Sequence, residues 1–245
     1  MTIRKLACLA FLWLLVPGCY FRPKTEIPMP SKWSGDPEPG DRLMLFLPGM
    51  GDRIGVFERE GFQEMAHSFP AVTEHVVMVE LDAHFGYYPK GILVPRVRED
   101  VLARYPDHKV TLVGTSLGGF GAQVLARNLS GQVDRLVLIA PFMGGRGLIR
   151  RIQAEGLAVK EGDSGVDREA LLNWRFLLEA AKTGQPEVTI LVGEDDRLRR
   201  GIEVLTQKAP QIEMVVLPGG HKWRVWKQLW QRWLESRSEN MNGSR

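Results

Sequence analysis

A serine set between glycines, a cluster of three acidic residues and a histidine behind two glycines are the groups in this chain whose types and spacing suit covalent chemistry. Ser116 lies in Gly114-Thr115-Ser116-Leu117-Gly118, a G-x-S-x-G pattern. The apolar run Val110 to Val113 precedes it, and the small residues Gly119, Gly121 and Ala122 follow. Strand, glycine-lined turn and helix in that order hold a serine hydroxyl out on a strained turn. The N-terminus of the following helix and the Leu117 N–H would then face a developing oxyanion. A serine hydroxyl alone is a weak nucleophile. It needs an imidazole base, and the base needs a carboxylate to orient it. His221 ends Pro218-Gly219-Gly220-His221, directly after the apolar run Ile212 to Leu217. Glu194, Asp195 and Asp196 follow another such run, Val188 to Val192.

The remaining polar candidates are weaker. Asp82 and His84 follow the run His75 to Leu81 and precede Tyr87 and Tyr88; the four either form a structural loop with aromatic packing or line a substrate pocket. His67 and His108 fall near turns and read as solvent-exposed. No third ligand lies near Asp82 and His84, and two cysteines cannot form a four-ligand zinc site, so neither a metal nor a cofactor is expected.

Six apolar runs, beginning at Arg42, His75, Lys109, Arg135, Val188 and Ile212, read as strands covered on both faces. Helical patterns separate them at 94–105, 117–129, 202–209 and 222–236. That alternation predicts an α/β fold with a mainly parallel, doubly wound sheet of about six strands. The stretch 142–186 is far longer than a crossover needs and is expected to form a helical cap or lid. In the last helix Trp223, Trp226, Trp230 and Trp233 share one face, which should pack on the sheet. The neighbouring Lys222, Arg224, Lys227 and Arg232 leave a membrane-interfacial use as the alternative.

With these residues in place, the chain resembles the α/β-hydrolases over roughly 42–236. Their chain order is Ser, acid, His. Their G-x-x-D motif after the penultimate strand matches Gly193-Glu194-Asp195-Asp196, which assigns the acid to Asp196 rather than to Asp195. The resemblance also implies a second oxyanion donor in Leu47-Pro48-Gly49-Met50-Gly51-Asp52, namely the Met50 N–H. Pro48 stands where the family often has histidine. The activity implied is a serine hydrolase acting on a carboxylic ester through Ser116, Asp196 and His221. Thioesterase or acyltransferase chemistry is the runner-up, and a non-catalytic envelope binding protein is the alternative of another class.

The chain has 245 residues, 32 Lys and Arg, 29 Asp and Glu and a formal charge of +3. That balance argues against nucleic-acid binding and points to a small or uncharged partner. Arg4 and Lys5 followed by the apolar Leu6 to Val16 read as a signal peptide over 1–18, too short to span a bilayer. Val16-Pro17-Gly18-Cys19 resembles the lipobox of bacterial lipoproteins, with Pro17 unusual in it. This implies cleavage after Gly18, lipidation of Cys19, attachment to a membrane and a place in the bacterial cell envelope. Residues 19–41, with five prolines, are expected to form an extended tether, and 237–245 a frayed polar tail.

Overall fold

Runs of β-branched and aliphatic residues that alternate between two apolar environments form the centre of the molecule. In the computed structural model, which describes residues 24–129 and 131–242, seven strands make one sheet. They are β1 (Ser31–Trp33), β2 (Arg42–Leu47), β3 (Val76–Leu81), β4 (Val110–Thr115), β5 (Val133–Ile139), β6 (Glu187–Gly193) and β7 (Glu213–Leu217). Their spatial order is β1-β3-β2-β4-β5-β6-β7. All neighbours pair in parallel except β1, which runs antiparallel to β3.

Because strand side chains alternate with a period of two, each strand feeds both faces. Leu43, Leu45 and Leu47 of β2 join one core, whereas Met44 and Phe46 join the other. The first core is covered by α4 (Leu93–Arg96), which runs on into a π-helical stretch to Leu102, and by α5 (Leu117–Asn128), α6 (Arg146–Glu155), α7 (Gly165–Thr183) and α8 (Arg199–Lys208). The second is covered by α1 (Val56–Arg59), α2 (Phe62–His67), α3 (Pro70–Thr73) and α9 (Trp223–Asn242). Continuous apolar strands are therefore buried on both sides, as the sequence pattern requires.

The tryptophan face of α9 belongs to the second core. Trp230 and Trp233 are buried, Trp230 stacks on Phe62 at 5.6 Å, and its Nε1 donates to the Phe62 carbonyl at 3.1 Å. The interfacial alternative for this face is thereby overturned: Trp226, Trp230 and Trp233 have no surface to offer a bilayer. Among the described residues, no helix is long and apolar enough to cross a membrane.

Three expected boundaries move. The hydrolase body begins before residue 42, because β1 adds a seventh strand at the β3 edge and Met29 is buried at 3% exposure. Residues 24–41 are thus docked on the domain and are not a free tether. At the other end, α9 continues to Asn242, and Arg237 pairs with Glu187 and stands over the Trp233 ring, so the polar tail is helix for most of its length. Within 142–186, α7 is a crossover helix that buries Leu171, Trp174 and Leu177 beneath the sheet. α6 buries Leu148, Ile149 and Ile152 in the same core. The expected signal peptide and Cys19 lie outside the described residues.

Candidate active site

Parallel strands end together on one rim, and loops leaving that rim bring Ser116, Asp196 and His221 into contact. Ser116 follows β4 with φ 52° and ψ −112°, a backbone strained for a residue with a side chain. Three backbone bonds hold it there. Its N–H donates to the Ile139 carbonyl at 2.9 Å, and its carbonyl accepts from Phe142 at 2.9 Å and Phe120 at 3.3 Å. Gly118 explains why the turn is so tight. A Cβ at this position would lie 2.1 Å from the Leu47 carbonyl oxygen, so only glycine lets α5 begin against the end of β2.

The acid and base loops are locked together in the same way. A Cβ on Gly193 would sit 2.3 Å from the Gly219 carbonyl oxygen. That close approach lets Glu194 N–H donate to Leu217 and Asp195 N–H to Gly219. His221 Nδ1 then lies 2.9 Å from Asp196 Oδ2 and 3.0 Å from Oδ1, and His221 Nε2 lies 3.0 Å from Ser116 Oγ. The Asp196 carboxylate is fully buried and also accepts the Leu198 N–H at 2.8 Å. Asp195, by contrast, is exposed. The Trp226 and His221 rings pack perpendicular to one another, 4.8 Å between centroids at 89°.

The loop after β2 lies against the serine. A Cβ on Gly49 would approach Ser116 Cβ to 3.5 Å, which places the Gly49–Met50 segment beside the hydroxyl, while the Met50 side chain is 62% exposed. Leu117 opens α5, whose first N–H groups have no acceptor within the helix. Asp52 ends this loop. Burial pushes its carboxyl up, opposed by Arg59 and by a hydrogen bond from Trp223.

Asp82, His84 and Tyr87, considered as pocket residues, are instead taken up by contacts within the protein. All three are buried and clamp the docked N-terminal segment. Asp82 accepts Arg53 Nε at 2.8 Å and Nη2 at 2.6 Å, together with the Ile54 N–H at 3.1 Å, and its own N–H donates to Pro30. The Tyr87 hydroxyl donates to the Glu26 carbonyl at 2.9 Å and accepts the Glu26 N–H at 3.1 Å. His84 packs on the Tyr87 ring and accepts the Gly86 N–H at Nδ1, 3.0 Å away; burial lowers its pKa from the usual histidine value. Tyr88 alone turns toward the site, donating to the Leu117 carbonyl at 3.3 Å. Sequence reading missed Arg53 as the partner of Asp82 and Trp226 as the neighbour of His221. A cation 29 residues from its acid leaves no local signal. Trp226, five residues after His221 at the start of a helix, was visible only as part of the apolar face.

Among the described residues, no group of three or more His, Cys, Asp or Glu side chains is arranged to hold a metal ion. No protein-family model matches the sequence. No curated protein matches it either. Solved structures do match. A ferulic acid esterase superposes with a TM-score of 0.60 at 17% identity, over 82% of this chain and 86% of that one. An S-formylglutathione hydrolase from Staphylococcus aureus gives 0.57 at 17% identity, over 81% of both chains.

The chain has the α/β-hydrolase fold.

A monoacylglycerol lipase from Paleococcus ferrophilus extends the likeness, with a TM-score of 0.58 at 13% identity over 86% of this chain and 98% of that one. In the α/β-hydrolase fold the rim that carries Ser116, Asp196 and His221 is the carboxyl end of the parallel strands, where ligands enter open α/β sheets.

Proposed function

We propose that the protein is a serine hydrolase that cleaves a carboxylic ester through an acyl-enzyme. One observation carries this reading: His221 reaches Ser116 Oγ with Nε2 at 3.0 Å while Asp196 holds Nδ1 at 2.9 Å. This is the nucleophile, base and orienting-acid geometry. In the first half-reaction Ser116 Oγ attacks the ester carbonyl as His221 Nε2 takes its proton. The N–H groups of Leu117 and Met50 stabilise the oxyanion. The tetrahedral intermediate collapses, the C–O bond to the alcohol breaks, and His221 returns the proton to the leaving oxygen. Water, deprotonated by His221, then releases the acid and restores Ser116. Asp196 stays ionised throughout, fixing the tautomer and stabilising the imidazolium.

Labelling by a fluorophosphonate probe tests the reading directly. Wild-type protein should be labelled at Ser116 and should hydrolyse p-nitrophenyl acetate, and the S116A protein should do neither. Unlabelled wild-type protein would remove the proposal.

We propose also that Cys19 is the lipidated N-terminus of the mature protein, holding the enzyme at a membrane of the bacterial cell envelope. The support is the order of basic start, short apolar run and Gly18-Cys19. Incorporation of an alkyne-tagged palmitate analogue, lost in C19A, tests it.

A further inference from the structure

Building on the serine-hydrolase reading, we infer that the substrate carries a phosphate group, held by a basic cleft beside the triad. The cleft has a volume of about 590 Å³ and lies where α6 and α8 begin. Arg146 and Arg150 line it from α6, Arg197 from the turn before α8 and Arg200 from the first turn of α8; no acidic residue lines it. The arginines around it differ sharply in how they are satisfied. Arg151 pairs with Asp163 and Arg199 with Glu203. Arg200 reaches only the neutral Gln153, at 3.3 Å. Among the described residues, Arg146, Arg150 and Arg197 make no ion pair.

This arrangement concentrates positive charge on an exposed surface. Arg146 and Arg150 are four residues apart on one helix, a spacing at which like charges repel. Arg146 is the first residue of α6 and Arg200 the second of α8, and neither helix has an acidic residue in its first turn. Cations at a helix N-terminus oppose the macrodipole. Four solvent-exposed guanidiniums and two positive helix ends therefore face one cleft, and among the described residues no carboxylate pairs with any of the four. A bound anion would neutralise them. Phosphate, with up to two charges and three free oxygens when esterified, fits four forked donors better than a single carboxylate does.

Two wall residues of the cleft are bonded to the triad. Its wall residue Phe142 donates its N–H to the Ser116 carbonyl at 2.9 Å, and its wall residue Leu198 donates to Asp196 Oδ1 at 2.8 Å. These bonds put the cleft wall next to the loops that carry Ser116 and Asp196, so a substrate with its ester at Ser116 would direct a phosphate on a spacer toward the arginines. The near-neutral charge of the whole chain hides this feature, and it narrows the expectation of an uncharged partner.

The test uses matched aryl esters ending in a methyl, a carboxylate or a phosphate group, placed on the acyl side in one series and on the alcohol side in another. In one of the series kcat/KM should favour the phosphate ester by about tenfold or more, as charge-assisted bonds of this kind imply. R150Q and R197Q should each erode that preference several-fold while leaving the methyl ester unchanged. Equal rates across both series, a preference for carboxylate, or a preference that survives both substitutions would overturn the inference while the hydrolase reading stands. If no ester is cleaved, the hydrolase reading fails and binding decides the cleft. Calorimetry with phenyl phosphate should then show binding that weakens about tenfold in R150Q/R197Q, and absent or unaltered binding overturns it.

Discussion

His221 Nε2 stands 3.0 Å from Ser116 Oγ although 105 residues separate them in the chain. The contact exists because β4 and β7 end on one rim, and because the loop carrying Asp196 is pressed against the loop carrying His221. Removing the nucleophile should abolish ester hydrolysis, whereas D196N should lower kcat roughly ten-thousand-fold through the wrong imidazole tautomer. Both proteins should keep the wild-type circular dichroism spectrum. Substantial turnover by D196N would show that the acid has been misassigned.

Gly193 has no substitute in this geometry. In G193A the new methyl meets the Gly219 carbonyl at 2.3 Å, and the two loops must part. The expected result is a loss of about 1–3 kcal/mol in urea denaturation together with a fall in kcat. G35A, where a Cβ would meet nothing within 4 Å, is the matched control and should leave activity unchanged.

The clamp on the N-terminal segment should be separable from catalysis. Y87F removes a hydroxyl that both donates to and accepts from Glu26, at a cost of about 1 kcal/mol. Limited proteolysis should cut between residues 24 and 33 faster in Y87F, with kcat for a neutral ester close to wild type. A protease pattern identical to wild type would mean that the segment is held by β1 pairing alone.

His84 should make the fold sensitive to mild acid. Burial lowers its folded pKa below the unfolded value near ~6.5, and its Nδ1 must stay unprotonated to accept the Gly86 N–H. The unfolded chain therefore binds the proton more readily. The contribution of neutral His84 is fully present above pH ~6.5 and is lost as pH falls toward the lowered folded pKa. In H84N, where the side-chain oxygen can accept the same bond, the decline in urea midpoint from pH 7 to 5 should be shallower. Parallel declines in the two proteins would clear His84 of this role.

How much was legible in the sequence depended on whether the deciding contacts were local. The six long strands were readable because burial on both faces demands unbroken apolar runs, and Ser116 was readable because its strained turn demands flanking glycines. Asp196 could be chosen over Asp195 only by resemblance, since both follow the same strand; burial separates them. β1 was not readable: Ser31, Lys32 and Trp33 have no periodicity amid prolines, and their pairing is set by the open edge of β3. Asp82, His84 and Tyr87 misled for a related reason. Polar residues at the carboxyl end of a strand look like pocket residues until the distant partners Arg53 and Glu26 are seen to consume their bonds.

The direction of β1 decides which way the enzyme would look. Ser31 lies opposite Leu81 and Trp33 opposite Val79, so the residues before Ser31 sit beyond the carboxyl end of β3, on the rim that presents Ser116 and His221. The described chain therefore enters the sheet from the side on which Ser116 and His221 lie. Five peptide steps from Cys19 to Lys24 span at most roughly 17 Å when fully extended. On the reading proposed above, a lipid on Cys19 would tether the protein by the segment that enters the sheet on the side of Ser116 and His221.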